Sequence, residues 1–389
     1  VKDTLLNSTL ILVIGFFTIS CSNKIHNKQA IEINVDEIIS EKPLVFSEVF
    51  SDFRVIPLET NEYCIINNLD NIKIVRDTIY IFDRNAKSVF IFSNNGRLIS
   101  KISRIGRGPG EFNQPFDFDV DKNGILIFDN STKKLNKYDL KGNFLSSMNF
   151  EYRFSSFVKA DDNIYGYKSF PPGNGTEQDD YLLYLFDKEN LNTWKTLKYS
   201  TILHGPKVIE FIEGGNFFKT ESGLKFFMNY CNTIFSIRNK TIKPYIILDS
   251  QKHKLKKDDL KNYTLDEPMS FMKANPDKLS KISGYSENDS MAFIKFRIGI
   301  SEYYTFMHFR TRKIICCARY NDDLTYIYPN LFQIHNNQLI AYVHPRRVSA
   351  FKELILSGKV KVEDDVRSQM LKAADFDNPV LILYDLKEN

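Results

Sequence analysis

Basic side chains set among glycines and amides are the residues of this sequence best suited to chemistry. Arg84 and Lys87 lie in R-N-A-K, Arg104, Arg107 and Glu111 in R-I-G-R-G-P-G-E, and Lys133 and Lys134 in N-S-T-K-K. Arginine offers a planar fork of donors and lysine a compact charge, so such a set can hold an anionic or polyhydroxylated ligand. A purely structural account competes with that one. Gly106, Gly108 and Gly110 suit a tight chain reversal, and Arg107 can pair with Glu111 to lock it. Asp83 and Asp129 read first as turn caps and only second as catalysts. No phosphate-cradling Walker loop, H-E-x-x-H or G-x-S-x-G pattern occurs. The six histidines (His26, His204, His253, His308, His335 and His344) lack the spacing of metal ligands. No cofactor is predicted, with calcium or zinc kept open because a ring of repeats can gather single ligands from distant positions.

The elements that would position these residues repeat. Thr78–Asp83 (T-I-Y-I-F-D) matches Gly124–Asp129 (G-I-L-I-F-D) at an offset of 46 residues. Phe92 and Tyr138, Gly96 and Gly142, and Leu98 and Phe144 keep the same offset of 46. Each unit reads as short strands parted by turns, with Asn94-Asn95-Gly96 and Lys141-Gly142-Asn143 as hairpin turns. Four antiparallel strands per unit of this length is the pattern of a β-propeller blade. Insertions are expected at 171–180, 253–285 and 351–376, the last with helical spacing in Phe351–Ala374. The remaining length accommodates about six blades. The fold class is therefore all-β: a six-bladed propeller over 50–389, closed by strand 53–58 pairing with the last blade. Numbering the strands of each blade a to d from the channel outwards, the b–c and d–a loops share one face, called the top. That face gathers Arg84, Lys87, Arg104, Arg107, Glu111, Lys133 and Lys134, and becomes the candidate site.

Composition supports a folded, non-nucleic-acid-binding chain. The 389 residues carry 52 Lys and Arg against 48 Asp and Glu, a net +4 that supplies no strong basic field. Phe and Tyr, 32 and 20 of them, favour pleated, half-buried surfaces. The first twenty residues read as an export signal: Leu10–Ile19 is an apolar run too short to span a bilayer, and Cys21 follows it directly. That arrangement resembles a bacterial lipobox, which implies acylation of Cys21 and a stable membrane anchor. Residues 21–49 are then a tether and lead-in. No acidic run follows Cys21, so an outer-membrane position facing the periplasm is expected. Of the other cysteines, Cys64, Cys231, Cys316 and Cys317, the last two are adjacent on a strand and point to opposite faces, which makes buried free thiols the expectation.

Arg104–Phe118 (R-I-G-R-G-P-G-E-F-N-Q-P-F-D-F), continuing through D-V-D-K-N-G-I-L-I-F-D, resembles an NHL-type repeat. With the lipobox, R-V-I-P-L-E-T at Arg54–Thr60 and D-N-P-V-L-I-L-Y at Asp377–Tyr384, the chain resembles the six-bladed propeller lipoproteins of Bacteroidetes. The resemblance implies fold and location more than activity. Three functions follow as expectations. One is a binding module whose top face takes a glycan, peptide or envelope protein, with Tyr165, Tyr167 and Tyr181 either stacking on sugars or filling the core. The second is a metal-dependent lyase or hydrolase with channel-facing His, Asp or Glu. The third is an envelope scaffold that docks through its helical insertions.

Overall fold

The computed structural model describes residues 30–168, 181–187, 193–198, 215–221, 223–228, 230–256, 259, 268–374 and 377–387. The signal segment, Cys21, His26, His204 and the 171–180 loop lie outside them.

Six antiparallel sheets form the blades of a propeller. Their innermost strands are Asn71–Val75, Pro115–Asp121, Ser156–Ala160, Phe217–Thr220, Leu279–Glu287 and Asn330–His335. The offset of 46 is preserved in space: Thr78–Asp83 and Gly124–Asp129 are second strands, Ser88–Ser93 and Lys134–Tyr138 third strands.

Both faces of each middle strand are buried against neighbouring blades. Alternation therefore sorts side chains between two cores instead of between core and water. In blade one, Ile79, Ile81, Phe90 and Phe92 pack with Ile340, Leu381 and Leu383 of blade six. Their neighbours Tyr80, Phe82, Val89 and Ile91 pack with Phe118, Ile125 and Ile127 of blade two. Each such side chain contributes roughly 1.5–3 kcal/mol by leaving water. Cys316 and Cys317 obey the same rule, entering the blade four–five core and the blade five–six core respectively. Both are free and buried, as is Cys64.

The N-terminal part departs from a plain tether from Ile31 onward. Ile31–Asn34 adds a fifth, parallel strand to Thr241–Asp249 of blade four, and Ile39–Ser40 does the same to Ile314–Cys317 of blade five. Leu44–Val45 pairs with Tyr320–Asn321, and single helical turns seat Val35, Phe46 and Val49 in the cores. Phe50–Pro57 then runs antiparallel to Val380–Leu386 as the outermost strand of blade six. Asn378 fastens this junction: its side chain donates to the Glu59 and Cys64 carbonyls (2.7 and 2.8 Å) and accepts from the Ile66 N–H (2.8 Å).

Two expected insertions change shape. Residues 279–285 belong to the innermost strand of blade five, Leu279–Glu287, which carries register shifts near Lys281 and Gly284. Its K-I-S-G-Y-S-E sequence sets polar residues among apolar ones, which hides it from a reading that looks for apolar runs. The expected helix 351–374 is two helices, Val348–Leu356 and Asp364–Lys372, bedded on blade six through Phe351, Ile355 and Met370.

Candidate functional site

The seven basic and acidic candidates do gather on the top loops of blades one and two, and three of them, Arg84, Glu111 and Lys133, have side chains engaged there. Arg84 Nε donates to the Phe116 carbonyl (3.2 Å), and its guanidinium stacks 4.9 Å from the Phe116 ring centre. Lys87 and Lys133, equivalent across the repeat, are the left-handed residues of their turns (φ 49° and 55°), so their backbones shape the loops. Lys133 Nζ also donates to the Glu151 carbonyl at 2.8 Å. Glu111 accepts from the Gly108 N–H (2.8 Å), and among the described residues no ion pair joins it to Arg107. Gly110 holds a φ of 71°, and a Cβ there would strike the Phe144 ring at 2.5 Å. Arg104 and Arg107 remain exposed, and Lys134 is half-buried.

Asp83 and Asp129 act as caps. Asp83 accepts from the backbone of Asn67, Asn68 and Ala86. Asp129 accepts from Asn113 and Gln114 in the same relative positions as Asn67 and Asn68, and also from the Ser131 N–H and the Thr132 hydroxyl at 2.7 Å. Tyr165 and Tyr167 are core, Tyr167 lying edge-on to Phe226 at 5.1 Å.

The channel carries the denser chemistry, from residues the loop motifs did not single out. Asp117, Asp119 and Asp121 alternate along the innermost strand of blade two and share its channel side. Asp117 accepts from the Ser156 hydroxyl (2.8 Å) and the Phe157 N–H (3.0 Å) of blade three. Burial raises its pKa despite these bonds. Both Asp119 oxygens accept from the Lys219 ammonium of blade four (3.0 and 2.9 Å), which also donates to the Lys159 carbonyl at 3.4 Å, and Asp121 pairs with Lys159 at 2.8 Å. The D-F-D-V-D alternation was the available signal: three carboxylates at period two on a strand cannot all face a dry core.

A cavity of about 1210 Å³ opens where the innermost strands end. Its lining comes from the ends of the innermost strands of blades one, two, four, five and six, the a–b turns of blades four, five and six and the c–d turn of blade five, so it lies on the face opposite the top loops. None of the seven candidates lines it. Lys73, Lys219, Tyr245, Glu287, Arg312 and His335 do, with Asn288, Asn336 and Asn337 at the rim. On one wall, Glu287 is almost fully buried and pairs with equally buried Lys225 at 3.3 Å. Tyr245 and Tyr285 both donate their hydroxyls to the same carboxylate, the former at 2.9 Å, and Lys225 sits 4.1 Å over the Tyr245 ring. Burial, followed by the Glu287 charge, pushes both phenols upward, so they stay donors. His335 is lowered by burial and is neutral near pH 7.

The other histidines have local duties. His253 Nδ1 contacts the Asp277 carbonyl (2.7 Å), and the Nδ1 atoms of His308 and His344 accept from backbone N–H groups (3.2 Å each). Among the described residues, no three His, Cys, Asp or Glu side chains converge as a metal set.

A family model described as a domain of unknown function, DUF4934, matches residues 30–385. The chain belongs to the DUF4934 family. The fold of this DUF4934 protein is shared with a putative exported protein from Bacteroides fragilis, at 16% identity and a TM-score of 0.74, covering 92% of this chain and 100% of the other. A DUF4221 member from Bacteroides vulgatus is more distant, at 13% identity and a TM-score of 0.49, covering 87% and 97%. So is virginiamycin B lyase from Staphylococcus aureus, at 10% and 0.39, covering 85% and 99%. No curated protein matches the sequence.

Proposed function

We propose that this DUF4934 protein is an envelope-anchored binding module whose ligand enters the channel cavity on the a–b face. The observation that carries the reading is the cavity itself. Its volume of about 1210 Å³ suits a ligand of several sugar rings or a short peptide. Its lining combines aromatic rings for stacking, amides for hydroxyl groups and charges of both signs, which is the chemistry of a glycan or peptide site. The top loops are the runner-up surface, with exposed Arg104 and Arg107 as their free donors. Among the described residues the metal-dependent reading has no converging ligand set in its favour. The scaffold reading has little exposed apolar surface among the described helical residues, Leu371 being the main example.

Anchoring through Cys21 belongs to the same proposal, as does kinship with NHL-like lipoproteins of Bacteroidetes. Both draw on the apolar run before Cys21 and on R-I-G-R-G-P-G-E-F. The Bacteroides fragilis protein of like fold is described as exported, which agrees with them. Outer-membrane placement facing the periplasm follows from the lack of an acidic run after Cys21.

The test is a glycan and peptide array probed with the protein, followed by calorimetry on each hit. Arg312→Asn and Glu221→Gln, both at positions that line the cavity, alter it mildly, Asn being at ease at the positive φ of residue 312. Their weakening of a hit by about tenfold, near 1.4 kcal/mol, is expected. Hits weakened instead by Arg104→Ala and Arg107→Ala would move the site to the top face. Palmitate labelling lost in Cys21→Ser tests the anchor.

A further inference from the structure

Lysines of the channel divide into two kinds. Lys159 and Lys219 are held by Asp121 and Asp119 at 2.8–3.0 Å. Lys73, on the innermost strand of blade one, is different. It lines the cavity, and among the described residues its Nζ has neither a hydrogen bond nor an ion pair. Protein surrounds it deep in the channel, while the cavity keeps one flank open.

We propose that Lys73 is a carbonyl-binding amine, which takes an aldehyde or ketone, such as the open-chain form of a reducing sugar, as an imine at the floor of the cavity. The inference shares the cavity with the binding-module reading and rests on it only in that respect.

The surroundings favour the neutral amine that such a step needs. Burial lowers Lys73, with the Lys219 ammonium adding to that effect against the opposing pull of Asp119 and Asp117. A lysine withdrawn from water beside a second cation is one of the recurring ways to make an amine nucleophilic at neutral pH. Asp117 is shifted towards its protonated form, so it adds less opposing charge than an exposed carboxylate would. The facing groups are thus Asp117, Asp119 and Lys219. The step balances without an oxidant or reductant. The nitrogen lone pair forms the N–C bond as the carbonyl π pair moves to oxygen, giving a carbinolamine. The nitrogen loses its protons, the hydroxyl leaves with one of them as water, and the C=N bond remains.

The probe is glyceraldehyde with cyanoborohydride, which reduces an imine to a stable secondary amine, at neutral pH and limiting exposure. Peptide mass spectrometry then locates the adducts. The expected result is one early adduct on the Lys73 peptide, ahead of exposed lysines such as Lys87, and its loss in Lys73→Arg. Labelling of Lys73 no faster than of Lys87, or none at all, overturns the proposal. The primary reading uses the unaltered protein, so it stands even if Lys73→Arg folds poorly. It needs no natural ligand, so an empty array result leaves it intact, while array hits with unlabelled Lys73 sink it alone.

Discussion

The two faces of this propeller carry similar numbers of charged side chains and use them differently. On the top face, the sequence advertises its charges in a glycine-rich motif, and the structure ties three of the seven to nearby backbone: Glu111 to Gly108, Arg84 to Phe116, Lys133 to Glu151. On the opposite face the charges are spread through unremarkable strand ends, yet they converge around a cavity and leave Lys73 uncommitted. A conspicuous local motif can thus be a device for folding. A site can instead be assembled from one residue per blade.

The largest effect expected from that contrast is on the cavity wall. Lys225→Ala strands the buried Glu287 carboxylate, which should lower stability by about 3–5 kcal/mol in urea unfolding. An unchanged midpoint would mean that the Glu287 network is not a rigid wall. Next comes the capping role of the top face. Asp129→Ala removes the acceptor of three backbone N–H groups and should cost roughly 1–3 kcal/mol. Arg107→Ala on the neighbouring d–a loop should change stability by less than about 0.5 kcal/mol. Equal losses from the two would erase the distinction between loop-building and free residues. The smallest effect is a matter of pH. Burial works against the Asp121 charge, but Lys159 and the Asn123 N–H hold its pKa below the ordinary 3.8. Its contribution is complete above that value and is lost as pH falls through the depressed one. Asp121→Asn should therefore lose less stability than the unaltered protein between about pH 5 and about pH 2, read by calorimetric Tm. A parallel decline would remove Asp121 from the channel ladder.

The sequence made blades one and two legible because Gly96 and Gly142, Asp83 and Asp129 have the same local duty in each. It also marked the closing strand, since R-V-I-P-L is apolar enough to read as an edge covering V-L-I-L-Y. Blade five was half hidden, because Leu279–Glu287 lines the channel and alternates Ser, Lys and Gly with its apolar residues. The parallel strands at Ile31 and Ile39 were invisible for another reason. They are two to four residues long, and their partners lie more than two hundred residues away. The cavity was illegible on the same ground: Lys73, Lys219, Glu287 and His335 become neighbours only when the ring closes.

The strap from Ile31 to Pro57 has a consequence in time. It is made early by the ribosome, but its partners arrive late, Val380–Leu386 last of all. Blades one to three contain all their own strands and can form from nearby sequence as it emerges. Blade six cannot have its fourth strand until nearly the whole chain exists, because Pro57 meets Val380 across more than three hundred residues. Contacts so distant in sequence place this fold among slow folders, and its final event is one of loop closure. Until then Phe50 and Tyr384, later packed ring to ring at 5.2 Å, both lack their partner. The half-made protein is thus an open arc with sticky ends, the state in which it most needs protection from other chains.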